Sequence, residues 1–179
     1  MHSIFARVNN VSAFLSSCMM GLLAVIALSS LLLVFEEQPT GALAISSIKV
    51  VSSNARRYPN KKQDLAFVHF NVTADLTPLF NWNTKQLFLY VQAEYNNTQG
   101  VKNEVVVWDR IVRRREDAFV KFVGKNKYNF RDISSSFKNT PPAEYTLKYN
   151  VMPYVGLLTY GEAARTSEAV AFPAVQSRL

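Results

Sequence analysis

Two histidines (His2 and His69), one cysteine (Cys18) and 13 acidic residues are the reactive stock of this 179-residue chain. A Ser-His-Asp site would have to use His69, an acid such as Asp75 or Asp109, and one serine, because a hydroxyl becomes a nucleophile only beside an oriented base. No G-x-S-x-G elbow surrounds any serine. Period-two alternation puts His69 on one strand face with Leu65, Phe67, Asn71 and Thr73, where a structural or surface histidine is the simpler reading. No spacing singles out a Ser/Lys pair. Glu94, Glu104 and Asp109 offer paired carboxylates for acid–base work, although acids on strands beside a hairpin usually sit on a solvated face. Metal-ligand spacings are missing, and six glycines build no phosphate-cradling loop. The expected catalytic, metal and cofactor sets are therefore empty.

Three Asn-x-Ser/Thr sequons occur. Asn10-Val11-Ser12 lies at the edge of an apolar run. Asn71-Val72-Thr73 falls inside a predicted strand, where it is expected to be hidden. Asn96-Asn97-Thr98 sits in a turn-rich loop, so Asn96 is the candidate glycan acceptor. The basic run Arg113-Arg114-Arg115 is followed at once by Glu116-Asp117. It reads as an ordinary solvated hairpin end, or as a surface facing acidic protein or anionic lipid headgroups. Trp82 and Trp108 suit a small β core; where a partner exists, they join Phe80 as candidate contact residues.

What must position these groups is written in two unlike parts. The 25 residues from Val11 to Phe35 carry no charge; 19 are apolar, five are Ser and one is Gly21. As a helix this run is roughly 37 Å long, enough to cross a hydrocarbon core of ~30 Å. It exceeds the apolar region of a cleaved signal peptide, about 7–15 residues, and reads as an uncleaved anchor. Arg7 and the α-amino group precede it and Glu36-Glu37 follow, so the N-terminus is expected to be cytosolic. The division is thus residues 1–10 as a short cytosolic tail, 11–35 as a transmembrane signal anchor, and 36–179 as a lumenal domain, joined by a linker over Glu36–Gly41.

The chain is 49% apolar and 18% charged, with a net charge of +7, which excludes wholesale disorder. Beyond residue 35 it has no cysteine, so a packed core must stabilise it without disulfides. Alternation predicts strands over 43–51, 65–75, 87–95, 104–112, 118–123, 145–152 and 163–172. Ala66, Val68, Phe70, Val72 and Ala74 share one face of the second strand; Leu87, Leu89, Val91, Ala93 and Tyr95 share one face of the third. The segment from Tyr95 to Glu104 reads as a hairpin connection. Leu76–Gln86, with Pro78, Phe80 and Trp82, reads as a corner crossing between strands. The fold class is all-β: an antiparallel β-sandwich preceded by one transmembrane α-helix.

These residues resemble the signal peptidase complex subunit 3 family. The resemblance is carried by Phe67-Val-His-Phe-Asn-Val-Thr-Ala-Asp-Leu76, by Phe80-Asn-Trp-Asn-Thr-Lys-Gln-Leu-Phe-Leu-Tyr90, and by Ala93-Glu-Tyr95. Val105-Val-Val-Trp-Asp-Arg-Ile-Val112, Asn150-Val-Met-Pro153, Gly156-Leu-Leu158 and Phe172-Pro173 extend it along nearly the whole chain. The resemblance implies a single-pass endoplasmic reticulum protein with a lumenal sandwich. Such a protein is not a protease. It binds and supports the catalytic subunit that cuts signal peptides, in a hetero-oligomer with other accessory subunits and without nucleic acid. Some relatives carry a sequon just before the strand over 145–152, whereas Asn139-Thr140-Pro141 here makes none. The residues also permit a membrane-anchored module binding peptide or glycan, or an anchored hydrolase with an unrecognised site.

Overall fold

An uncharged helix and a strand-rich chain each have apolar surface to dispose of, and the computed structural model shows where each puts it. It describes residues 3–34, 38–54 and 62–176. Helix α1 spans Ile4–Val34, so regular helix runs through most of the segment expected as a tail. Ser3 Oγ accepts a hydrogen bond from the Ala6 N–H at 3.2 Å, satisfying one of the donors a helix start leaves free. Ile4–Ser30 is long and apolar enough to cross a membrane. Its side chains are exposed almost throughout, except at Ile26, Ala27, Ser29 and Ser30 near the C-terminal end.

Seven strands follow. They are β1 (Thr40–Asn54), β2 (Lys62–Asp75), β3 (Thr84–Asn96), β4 (Lys102–Val112), β5 (Phe119–Lys125), β6 (Glu144–Pro153) and β7 (Thr159–Arg165). They form two antiparallel sheets, ordered β1-β2-β5 and β4-β3-β6-β7. The inward faces are the predicted ones. Ala66, Val68, Phe70, Val72 and Ala74 of β2 meet Leu87, Leu89, Val91 and Ala93 of β3, all at most 1% exposed. Each buried Val, Leu or Phe side chain contributes roughly 1.5–3 kcal/mol relative to exposure. The expected sandwich is what the chain builds.

Three boundaries differ from the alternation reading. The expected linker over Glu36–Gly41 is shortened, because Thr40 and Gly41 already belong to β1; residues 36 and 37 lie outside the described residues. Gly41 is required there: a Cβ would stand 2.9 Å from the Ala163 carbonyl oxygen, where the β1 and β7 edges meet. The last strand occupies Thr159–Arg165 instead of 163–172. Gly161 and Glu162 hide its period, and the chain leaves the sheet at Thr166, whose Oγ1 accepts from the Tyr145 N–H at 3.1 Å. The third difference is a β-bulge in β4. Trp108 pairs with Val91 and Val106 with Gln92, leaving Val107 unpaired. A bulge turns two successive residues to one side, so Val107 (0% exposed) and Trp108 (5%) both enter the core.

The two sheets share their ends. Thr40, Asp75 and Phe119 are in register in one sheet, and Val112, Leu87 and Val151 in the other. The Leu76–Asn83 crossing and the Arg113–Ala118 turn connect the sheets at this end, next to where α1 feeds β1. The opposite end holds the β3–β4 hairpin turn and the excursion over residues 126–142.

Candidate partner-binding surface

The geometry tests each chemical candidate in turn. His69 is exposed on β2, opposite Ser47 of β1 and Lys125 of β5. Asp75 lies six residues further along the same strand, about 20 Å away. Asp109 belongs to the other sheet and is engaged elsewhere: it accepts hydrogen bonds from Lys127 Nζ and Tyr128 Oη, both at 2.7 Å. Neither acid can orient the imidazole, so the Ser-His-Asp candidates are not brought together.

The carboxylates form a row instead. Glu104 of β4, Glu94 of β3 and Glu144 of β6 stand directly opposite one another on the outer face of the four-stranded sheet. Three like charges in register are destabilising unless neutralised, and cations are interleaved among them. Lys148 Nζ donates to Glu94 Oε1 at 2.7 Å, Lys102 Nζ lies 3.2 Å from Glu94 and 2.9 Å from Glu104, and Arg165 lies 3.4 Å from Glu144. The hydrogen bond from Lys148 holds the Glu94 carboxyl below its ordinary range, and Lys102 does the same for Glu104. Burial works to raise Asp109, but Lys127 and Tyr128 outweigh it and hold this carboxyl low too. A general acid needs the opposite shift. The arrangement therefore keeps these carboxylates ionised, as a cross-strand ion ladder. Among the described residues no group of three His, Cys, Asp or Glu side chains is placed to hold a metal ion.

The proposed contact residues separate by burial. Trp108 is a correction: its indole packs in the core edge-on to Phe70 (ring centroids 6.1 Å apart) and beside Phe122 (4.8 Å). The bulge that turns it inward leaves it no surface to present. Phe80 is half-buried and packs against the same core. Trp82, one turn residue on, is 62% exposed. The corner carrying it is rigid, because Thr84 Oγ1 donates to the Leu79 carbonyl at 2.9 Å and Asn81 Oδ1 accepts from the Asn83 N–H at 2.9 Å. Pro78 opens the short 3-10 turn over Thr77–Leu79.

Asn83 is the residue that sequence reading missed. It is 2% exposed, and its amide clamps the corner to the segment after β6. Nδ2 donates to the Val155 carbonyl at 2.7 Å, Oδ1 accepts from the Val155 N–H at 3.1 Å, and its own carbonyl accepts from the Tyr154 N–H at 2.8 Å. That segment, Tyr154–Leu158, passes against α1. Gly156 has φ +124°, and a Cβ there would lie 3.4 Å from the Ala27 Cα. A lone Asn in a corner and a Gly between two strands both look like loop punctuation in sequence; only the fold reveals their partners, Val155 for Asn83, 72 residues on, and Ala27 for Gly156.

Asn96 is exposed at the end of β3, and the following Asn97 is buried, its Oδ1 accepting from the N–H groups of Gln99 and Val101 at 2.9 Å. Asn97 and Gly100 (φ +78°) make the turn, leaving the Asn96 side chain free of that task. Asn71, expected to be hidden, has an exposed side chain, because β2 alternates and its odd positions face out; its backbone pairs on both sides, with Ala44 and Val123. Arg113, Arg114 and Arg115 are exposed at the helix-proximal end.

Comparison with known proteins agrees with this anatomy. A family model described as "Signal peptidase subunit" matches residues 1–175. A Caenorhabditis briggsae protein named signal peptidase complex subunit 3 is 37% identical over 161 residues, covering 88% of this chain and 87% of that one. Its Gallus gallus namesake is 36% identical over the same shares, and the one from Saccharomyces cerevisiae is 45% identical over 53% of this chain and 52% of its own length. A solved family 22 carbohydrate binding module of Clostridium thermocellum Xyn10B aligns over 79% of this chain at 13% identity and a TM-score of 0.25, too distant to carry an argument.

Proposed function

The chain belongs to the signal peptidase subunit family, and from that premise we propose that it is a non-catalytic subunit of the signal peptidase complex that braces the catalytic subunit. In this reading α1 spans the endoplasmic reticulum membrane with the N-terminus cytosolic. The sandwich stands in the lumen, and Asn96, on the loop farthest from the membrane, is the glycan acceptor. Residues 1–10 form the tail, 11–35 the span and 36–179 the lumenal domain. Other accessory subunits complete a hetero-oligomer.

The observation that carries the reading is the seat of the sandwich on its own helix. A protease that cuts at a membrane surface needs its active site held at a fixed height. A β-domain whose Asn83-clamped 154–158 segment rests through Gly156 on Ala27 is kept beside its own helix, and so can hold a neighbour close to the bilayer. Ionised, ion-paired carboxylates and an unaccompanied His69 fit a subunit that contributes position without chemistry.

The contact residue is Trp82. It is exposed on a rigid corner, and Trp is the side chain that most often dominates an interface. Trp82→Ala in the tagged full chain should cost about 2 kcal/mol of binding, roughly 30-fold in affinity. It should deplete the catalytic subunit from a mild-detergent purification while the near-UV circular dichroism stays native. Undiminished co-purification overturns the choice of Trp82. Purification of the wild-type chain without any signal peptidase subunit overturns the functional reading itself.

A further inference from the structure

We propose that the helix-proximal end of the sandwich docks on the bilayer that α1 crosses. The Tyr154–Leu158 segment sits at the acyl-chain boundary, and the Arg113–Arg115 turn lies among the headgroups. The proposal rests on α1 spanning the membrane and is independent of which protein Trp82 touches.

The height of the segment follows from Ala27. Val34 is seven residues further along α1, so Gly156 lies about 10 Å back from the end of the described helix, toward its N-terminus. A hydrocarbon core of ~30 Å takes about 20 helical residues. Arg7 is the last charge before the apolar run, so the core begins no earlier than Val8 and ends no earlier than Ala27. Any later register, or any tilt, moves that far boundary beyond Ala27 and places Gly156 deeper. In every allowed register the segment is at the boundary or inside it.

Its composition matches that height. Tyr154 is 68% exposed, Leu157 70% and Leu158 40%, and Tyr160 at the start of β7 is 70% exposed. Tyrosines flanking leucines suit the interface, where an aromatic ring rests with its polar tip in the headgroups. The segment is also held for insertion: Asn83 satisfies the Val155 N–H and carbonyl and the Tyr154 N–H, so these polar groups need no water. Charge is placed to agree. Arg113 follows directly on Val112, which is two strands from Val151 of β6 in the same row, about 10 Å away. Three exposed guanidinium groups at that height face lipid phosphates.

Spin labelling of the full chain in phosphatidylcholine/phosphatidylserine vesicles tests this. A Cys18→Ser background carries one new cysteine, Leu157→Cys or Tyr154→Cys in the segment, or Ile133→Cys at the far end, where the side chain is 86% exposed. The ratio of oxygen to nickel-chelate accessibility should be several-fold higher at 157 and 154 than at 133. Near-UV circular dichroism checks that each variant is folded; two segment positions guard against one failing. Equal ratios at all three positions overturn the proposal. So does chelate exclusion at 157 that arises only when the other complex subunits are added, which assigns the segment to a protein partner. Retained or lost co-purification with the catalytic subunit bears on Trp82 alone.

Discussion

The two ends of the sandwich solve opposite problems. At the far end, several buried polar groups are satisfied from within, although Arg131 Nε, Tyr145 Oη and Thr146 Oγ1 are buried without a partner among the described residues. Asp132 (2% exposed) accepts from Tyr95 Oη at 2.9 Å and from the Ser134 N–H at 2.7 Å. Asp64 accepts from Ser136 Oγ at 2.8 Å, and Asn126 accepts from the Val68 N–H at 3.0 Å. These bonds pin the 126–142 excursion over an aromatic cluster of Tyr95, Phe130, Phe137 and Phe172. At the helix-proximal end, one buried amide, Asn83, does the clamping, and the tips beyond it expose Trp82, Tyr154 and Leu157. Internal satisfaction marks an end built to meet water. Exposed apolar side chains occur at both ends, Ile133 and Val101 at the far one; in the proposed function those at the helix-proximal end, on the Asn83 clamp, are the ones that meet a partner outside the chain. The same sheets carry both ends, so the proposed function divides stability and contact along the strand axis.

The largest expected effect tests the first half of that contrast. Phe130 is fully buried and touches three aromatic rings. Phe130→Ala should cost about 3–5 kcal/mol, the range for deleting a large core aromatic. Thermal unfolding of the full chain in detergent micelles measures it. A loss below about 1 kcal/mol would mean that the far end is not where the fold is held.

A smaller effect, with a pH signature, is expected at Asp132. Burial works to raise its carboxyl, but hydrogen bonds from Ser134 and Tyr95 outweigh it, so the folded-state pKa lies below the ordinary 3.8. A depressed pKa stabilises the fold above the unfolded value and loses that contribution as pH falls through the folded one. The wild-type midpoint should therefore drop as the pH falls below about 4. Asp132→Asn should flatten that drop. It should also cost about 1–3 kcal/mol near neutrality, because an amide must turn its NH2 toward one of two hydrogen-bond donors. An unchanged pH slope in the variant removes Asp132 from the account.

The sandwich was legible because its apolar residues keep a strict period of two in β2 and β3, where one inward face is wholly buried. Legibility failed wherever a backbone irregularity or a remote partner decides. Trp108 takes the core place that its residue type suits, and the Val107 bulge that turns it inward has no signature in alternation. The seventh strand slid because Gly161 carries no side chain to register. Asn83 and Gly156 were invisible as a clamp and a seat, since their importance lies in Val155 and Ala27, far away in sequence. The carboxylates were correctly singled out, but their ladder depends on a register that places Glu144 beside Glu94. At the candidate surface Trp82 and the side chain of Asn96 are exposed, as a contact and a glycan would require.

The smallest effect on the fold is expected at Asn96, and there the contrast between the ends becomes a statement about compartments. Its side chain is exposed and takes no part in the hairpin turn, which Asn97 and Gly100 make. Asn96→Gln should therefore shift stability by less than about 0.5 kcal/mol, as exposed substitutions away from special backbone positions do. β3 runs 13 residues from the helix-proximal end to Asn96, about 40 Å, so in the proposed orientation this candidate acceptor stands well clear of the bilayer. In sealed microsomes the wild-type chain should carry one glycan removable by endoglycosidase, absent in Asn96→Gln, with the sandwich protected from added protease. A sandwich digested from outside would reverse the orientation. A glycan that persists in Asn96→Gln would instead point to Asn71, whose side chain is exposed but whose backbone is hydrogen-bonded into β2 on both edges.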